Sequence, residues 1–197
     1  MFSQLPFDLS TDFDPETLQA HPKHPLQVRS ALLYLKARLK HTALPLLARV
    51  ECQNQYALLL RLAQRYDEAI PLFEKLIQEW QTPPLSQLPQ HLARCIALRI
   101  RLAHTHQFQK NFAVSDALFE TLLQDSEQWD APLKAHYQHF LWQHLGKNHF
   151  DQQQYDKAQL YFEKALTERQ QQGLSQELVD SSTLALSVTQ QRRLAQI

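Results

Sequence analysis

Histidine is the residue type that most readily brings metal chemistry to a chain of this composition. The chain has ten histidines, and the segment HYQH places His136 and His139 three residues apart, on one face of a helix. A metal site needs three or four converging ligands held by further contacts. His104 and His106 belong to a different helical stretch, and no HExxH pattern occurs. We therefore predict ordinary surface or groove histidines and no metal site.

Other patterns that support catalysis are equally weak. Cys52 and Cys95 stand apart in helical stretches with no CxxC motif, which predicts buried free thiols. No nucleophile elbow and no protease-type pairing of Cys with His is present. The two glycines, Gly146 and Gly173, are too few for a glycine-rich phosphate or dinucleotide loop. The prediction is a protein that is not an enzyme and that has no cofactor.

Composition and charge narrow the class of protein further. The 197 residues include 20 basic and 20 acidic side chains, a balance that argues against a general nucleic-acid binder. The start MFSQLPFDLS lacks the features of a signal peptide, and no apolar run reaches the roughly 18 residues of a membrane span. We predict a cytoplasmic protein that does not associate with membranes. Leu, Gln, Ala, Glu and Lys outnumber Val and Ile, which predicts an all-α fold.

One phrase recurs along the chain. Residues 65–77 read RYDEAIPLFEKLI, residues 111–123 read NFAVSDALFETLL, and residues 155–166 read YDKAQLYFEKAL. Each copy has a small residue followed four residues later by Phe, and these pairs are Ala69 with Phe73, Ser115 with Phe119, and Ala158 with Phe162. Twelve residues before each pair lies another small residue, and these are Ala57, Ala103 and Gly146. Small residues on facing helices let two backbones approach closely, which predicts three helical hairpins.

The third hairpin carries most of a known signature. It reads Trp142-x2-Leu145-Gly146-x2-His149, then Tyr155, Ala158-x3-Phe162 and Ala165. This pattern resembles the tetratricopeptide repeat, although His149 stands where Tyr is usual and Gln170 where Pro is usual. The period of the first two hairpins exceeds the family's length of about 34 residues, which indicates a variant with long first helices. The resemblance implies a right-handed superhelical solenoid of antiparallel helix pairs.

Prolines and composition predict the boundaries. Pro45, Pro89 and Pro132 lie twelve to fourteen residues before the small residues of the three first helices, where proline suits the first helical turn. The predicted segments are an N-terminal extended or short-helix segment (1–25), a capping helix (26–42), three repeats (43–84, 85–129 and 130–173) and a C-terminal capping helix (174–197). Asp14-Pro15-Glu16 predicts the start of a short helix in the first segment. Repeat spacing predicts Ser187 as the small residue of the last helix.

The resemblance implies that the opposite stripe of each first helix lines a concave groove for a partner peptide. The stripe residues are Glu51, Asn54, Gln55, Leu58 and Arg61 in the first repeat, Ala97, Ile100, Arg101, His104 and Gln107 in the second, and Phe140, Gln143, His144, Lys147 and Phe150 in the third. Three fixed positive charges against one acid predict an acidic partner with apolar groups. The alternative is a solvated helix face that binds no ligand.

The sequence leaves three functions open. The leading hypothesis is a non-enzymatic adaptor or scaffold for protein–protein interaction, which binds a peptide or helix of another protein in its groove. The second is a structural or assembly protein that forms a homodimer through residues 175–197, with the groove empty or filled by residues 1–13. Nucleic-acid binding through local Arg and Lys is the third and least favoured.

Overall fold

The computed structural model describes residues 5–41 and 43–195. In this part the chain forms eight α-helices and one antiparallel hairpin of two strands. The elements are β1 (Thr11–Asp14), β2 (Gln19–Pro22), α1 (Pro25–His41), α2 (Leu46–Leu62), α3 (Tyr66–Gln81), α4 (His91–Phe108), α5 (Phe112–Ser126), α6 (Ala131–Asp151), α7 (Tyr155–Gln171) and α8 (Gln176–Leu194). The prediction of a fold built from paired helices is confirmed, and the hairpin is an addition to it.

The prediction that a short helix begins at Asp14-Pro15-Glu16 is wrong. Asp14 ends β1 and pairs with Gln19 of β2, so Pro15 and Glu16 lie in the turn between the strands. Proline fixes a φ that suits the first turn of a helix and an early position of a β-turn equally well. The same residues therefore signal both structures, and the turn forms here.

Helix packing divides the chain into two units. The first contains the described residues up to Asp14 together with Gln19–Leu98. Within it α1 packs on α2 and α2 packs on α3. The fully buried residues of these helices include the small residues Ala31, Ala57 and Ala69. They also include the large residues Leu35 and Phe73. Each helix thus presents both small and large side chains to the core of the unit.

The second unit contains Pro15–Leu18 and the described residues from Arg99 onwards. Here α5 packs on α6, α6 on α7, and α7 on α8. Its fully buried apolar residues include Ala103, Phe119, Leu122, Leu141 and Ala165. Asp130 caps α6 by accepting a hydrogen bond from the amide of Leu133 at 2.9 Å, and Pro132 occupies the first turn.

The first helices of the three hairpins end in the same way. Gln64, Lys110 and Gln153 adopt left-handed φ angles of 59°, 61° and 61°. The following amide then donates to the carbonyl five residues back, from Arg65 to Leu60, Asn111 to His106 and Gln154 to His149, at 2.8 to 2.9 Å. This is the Schellman arrangement, which satisfies the last carbonyls of a helix. Identical helix ends therefore accompany the repeated sequence phrases.

The small-residue position predicted at Ser187 in α8 is wrong. Ser187 is exposed, whereas Ser182, Ala185 and Thr189 are fully buried. These three residues follow the helical period and form the buried face of α8, which packs against α7. The helix is therefore rotated relative to the predicted face.

Candidate functional site

The hairpin of α6 and α7 is built around a close approach of two helices. A Cβ atom added to Gly146 would lie 2.5 Å from both Cδ1 and Cε1 of Phe162. Such a distance is too short for two carbon atoms, so the packing requires glycine here. Phe162 and Ala158 are fully buried, while Trp142 is partly exposed. These signature residues hold the hairpin together.

We expect Gly146→Ala to destabilise the protein by about 1 to 3 kcal/mol. The added methyl group displaces the buried ring of Phe162, and this overpacking outweighs the gain of about 1 kcal/mol in helix propensity. Urea unfolding followed by circular dichroism measures the change. Gln170→Ala, on the exposed side of α7, is the control and should change stability by less than about 0.5 kcal/mol. A Gly146→Ala chain more stable than the wild type would contradict the expectation.

The predicted stripe residues of the second unit fall into two groups. Ile100, His104, Gln143 and Phe150 are buried, whereas Arg101, Phe140, His144 and Lys147 are partly exposed. The rings of His104 and His144 lie 4.2 Å apart, so the stripes of α4 and α6 meet. The structure brings these residues together on two helices of one unit, and their role in binding stays a prediction.

Two glutamines of this stripe each have one buried atom with no hydrogen-bond partner among the described residues. Gln107 donates through Nε2 to Oδ2 of Asp151 at 2.8 Å, but its Oε1 has no such partner. Gln143 accepts through Oε1 from Oγ of Ser182 at 2.6 Å, but its Nε2 has none. Gln107 is 1% exposed and Gln143 is 4% exposed. Buried polar atoms are normally hydrogen-bonded, so these two atoms are exceptions in the interior of the unit.

In the first unit most of the predicted stripe on α2 is internal. Asn54, Gln55 and Leu58 are buried, and Arg61 is partly exposed. Glu51 forms an ion pair with Arg94 at 3.5 Å. Side chains that fill the interior of a unit cannot contact a ligand without rearrangement. The binding role of these residues stays a prediction, and Glu51 and Arg61 are the partly exposed members of the stripe on α2.

Arg169 of α7 forms a polar junction with α6 and α8. Its side chain is 2% exposed. Nε donates to Nδ1 of His139 at 3.2 Å, and Nη1 donates to the carbonyl of Leu178 at 2.7 Å and to Oγ of Ser182 at 2.8 Å. The guanidinium carbon also lies 5.8 Å from the ring centroid of Phe140. One side chain thus connects three helices.

This junction contains a buried cation without an acidic partner. Arg169 forms no ion pair with any carboxylate in the described part of the chain. Burial lowers the pKa of Arg169 to about 10. Burial, and then the nearby charge of Arg169, lower the pKa of His139 to about 4. His139 is therefore neutral near pH 7 and accepts a hydrogen bond through Nδ1.

A second polar network joins α5 to α6. Ser115 donates through Oγ to Oδ1 of Asn148 at 2.6 Å, and Nδ2 of Asn148 donates to Oδ1 of Asp116. Ser115 and Asn148 are both fully buried. Ser115 therefore does more than supply a small side chain, since its hydroxyl satisfies a buried amide.

The turn of residues 15–18 contributes one apolar side chain to the second unit. Leu18 is 1% exposed and belongs to a cluster with Phe150, Ala158, Phe162 and Ala185, which we call the Leu18 cluster. Its left-handed φ of 56° costs about 1 to 2 kcal/mol, while burial of its side chain contributes about 1.5 to 3 kcal/mol. Burial of the Leu18 side chain therefore offsets the cost of its backbone conformation.

The sequence does not predict the roles of Arg169, Ser182 and Leu18. Arg169 lies in the last turn of α7, where a basic residue is ordinary because it complements the helix dipole. HYQH did draw attention to His139, which is buried against Arg169, while His136 is exposed. For Leu18 the only available signal is a single leucine among polar turn residues.

Histidines, cysteines and carboxylates are the residues on which metal or redox chemistry would depend. Within residues 5–41 and 43–195, no three side chains among His, Cys, Asp and Glu gather as metal ligands do. Cys52 and Cys95 are both buried thiols, as predicted, and burial raises the pKa of Cys52. Among the described helices, none combines the length and apolar character needed to cross a membrane.

Comparison with known proteins identifies the hairpin of α6 and α7. Residues 139–171 match the family model described as Tetratricopeptide repeat, and this stretch includes Gly146, Phe162 and Arg169. The resemblance is thereby confirmed for this hairpin. The fold and site define a helical-repeat protein whose recognised repeat is of a kind that generally serves protein–protein interaction. Neither a search of curated proteins nor a search of solved structures found a match.

Proposed function

We propose that this chain is a non-catalytic adaptor that binds an acidic segment of a partner protein along the stripe of α4 and α6 in the second unit. The observation that carries the proposal is the group of partly exposed side chains, Arg101 of α4 with Phe140 and Lys147 of α6, on two helices that meet at His104 and His144. A cationic surface with an aromatic contact favours a peptide that carries acidic and apolar groups.

The charges of the stripe favour an acidic ligand. Arg101 and Lys147 are both partly exposed, and a guanidinium binds a carboxylate through two parallel hydrogen bonds. Burial raises the pKa of Asp151, which accepts a hydrogen bond from Gln107. Phe140 is partly exposed and offers an apolar contact for the same segment. These features support an acidic segment with at least one apolar side chain.

Selection of binders from a random peptide library tests the proposal. We expect the wild-type protein to enrich acidic peptides. The double change Arg101→Glu and Lys147→Glu should raise the dissociation constants of these peptides at least about tenfold. The control reverses two exposed lysines elsewhere, with Lys75→Glu and Lys164→Glu, and should leave binding unchanged. Failure to enrich any acidic peptide, or an equal loss in the control, would reject this stripe as the binding surface.

Self-association through α8 remains a second candidate. Leu184 is 38% exposed and Leu194 is 71% exposed on this helix, and exposed apolar side chains favour contact with another protein surface. Two leucines provide far less area than a stable dimer buries, so the homodimer through residues 175–197 ranks behind the adaptor. Cytoplasmic localisation and the lack of a nucleic-acid partner likewise stay predictions.

A further inference from the structure

The turn of residues 15–18 contacts the other residues of the Leu18 cluster through one buried side chain, that of Leu18. Between Thr11 and Ala20, Leu18 alone is buried, and the other residues are exposed or partly exposed. Leucine is uncommon at a left-handed φ, where glycine and asparagine are the usual residues. The backbone conformation alone therefore does not favour leucine here, and the burial of its side chain accounts for its presence.

A basic rim accompanies the apolar cluster. Glu16 lies 3.7 Å from Arg192, measured between Oε2 and Nη2, and both side chains are exposed. The neighbouring Arg193 forms an ion pair with Asp156 at 2.6 Å. The site thus combines an apolar centre for leucine with a cation for an acidic residue two positions earlier.

Space remains beside the cluster. A depression of about 300 Å³ is lined by Gln153, Gln154, Tyr155, Asp156, Lys157 and Arg193. Tyr155 also packs against the Leu18 cluster, so the depression adjoins the place that Leu18 fills. A bound segment longer than the chain's own turn therefore has polar and aromatic groups to contact.

We infer that the turn of residues 15–18 is an internal substitute for a partner segment, and that the Leu18 cluster is the docking site of that segment. The partner presents a turn with an acidic residue two positions before a leucine, and it binds by displacing Leu18. This inference rests on the proposed function, because it takes the chain to be a peptide-binding module. Phe150 belongs both to the stripe of α6 and to the Leu18 cluster, so the two surfaces adjoin.

Fluorescence anisotropy with the chain's own turn tests the inference. The probe is a labelled peptide of residues 11–22, cyclised through added terminal cysteines. We expect it to bind the full chain carrying Leu18→Ala at least about tenfold more tightly than the wild type, whose own turn competes for the site. The same peptide carrying Leu18→Ala should not bind. Equal affinity for both proteins, or no binding to either, would overturn the inference.

A charge exchange tests the contact with Arg192. In the chain carrying Leu18→Ala, the further change Arg192→Glu should weaken binding of the 11–22 peptide about threefold. A peptide carrying Glu16→Lys should bind this double variant with the affinity restored. A purely structural role for Leu18 does not produce this recovery, so its absence contradicts the assigned site. If the Leu18→Ala protein fails to fold, a full chain carrying Glu16→Lys, a change at an exposed residue, replaces it. This protein should bind the unchanged 11–22 peptide about threefold more tightly than the wild-type protein does.

One combined variant separates this inference from the proposed function. Arg101→Glu with Lys147→Glu, added to Leu18→Ala, should retain binding of the 11–22 peptide within about twofold, because neither Arg101 nor Lys147 belongs to the Leu18 cluster. Peptide binding together with a failed library selection would uphold the docking site and reject the stripe. Successful selection without peptide binding would keep the stripe and reject the docking site.

Discussion

Replacing Arg169 by alanine is expected to destabilise the protein by about 2 to 4 kcal/mol. The change removes hydrogen bonds to His139, Ser182 and the carbonyl of Leu178, and it leaves a cavity among three helices. Urea unfolding monitored by circular dichroism measures the loss. An effect below about 0.5 kcal/mol would show that Arg169 does not hold α6, α7 and α8 together.

Two further variants identify the origin of this effect. Arg169→Met keeps most of the volume, removes the hydrogen bonds and removes a buried cation that has no acidic partner among residues 5–41 and 43–195. Replacing a buried charge by a packed apolar side chain is often close to neutral, so methionine should cost less than alanine. Arg192→Ala, at an exposed arginine, is the matched control and should change stability by less than about 0.5 kcal/mol.

We expect the protein to lose up to about 3 kcal/mol of stability through His139 as the pH falls from 6.5 to 4. The pKa of His139 in the folded protein is about 4, below its ordinary value of 6.5, so the unfolded chain binds the proton more readily. The stabilisation is therefore complete above pH 6.5 and is lost as the pH falls through the folded pKa. Protonation also removes the acceptor that receives Nε of Arg169. Urea unfolding at a series of pH values measures the slope.

His139→Gln isolates this contribution. Glutamine keeps a hydrogen-bond acceptor near Arg169 but does not titrate, so the slope between pH 6.5 and 4 should become shallower. Burial also lowers the pKa of His149, which acts in the same direction, whereas burial raises the pKa of Asp151, which acts in the opposite one. Both groups remain in the variant, so their contributions cancel in the comparison. An unchanged slope would show that His139 does not couple folding to pH.

The helix pairs could be predicted from the sequence because their requirement is local and repeated. Gly146 and Phe162 must approach closely wherever α6 and α7 pack, and a steric requirement of this kind restricts the residue type directly. The same restriction appears at Ala57 and Ala103, which are fully buried. Small residues at constant spacing therefore allow the helix pairs to be predicted from a single sequence.

The remaining features depend on contacts that spacing does not encode. Ser182 and Ser187 are both small residues of α8, and only the packing against α7 decides which of them is buried. Leu18 becomes a core residue because the turn brings it to a cluster formed by residues more than a hundred positions later. Arg169 has the same sequence context as an exposed basic residue at a helix end. In each case the environment comes from the tertiary fold.

The left-handed residue after α2 offers a means of protein engineering. Gln64 adopts a φ of 59°, a conformation that glycine reaches without the steric penalty that a Cβ atom brings. It lies at a helix end of the first unit, whereas the Leu18 cluster belongs to the second. We therefore expect Gln64→Gly to raise the free energy of unfolding. Destabilising replacements such as Arg169→Ala could then be assayed for binding in this more stable background.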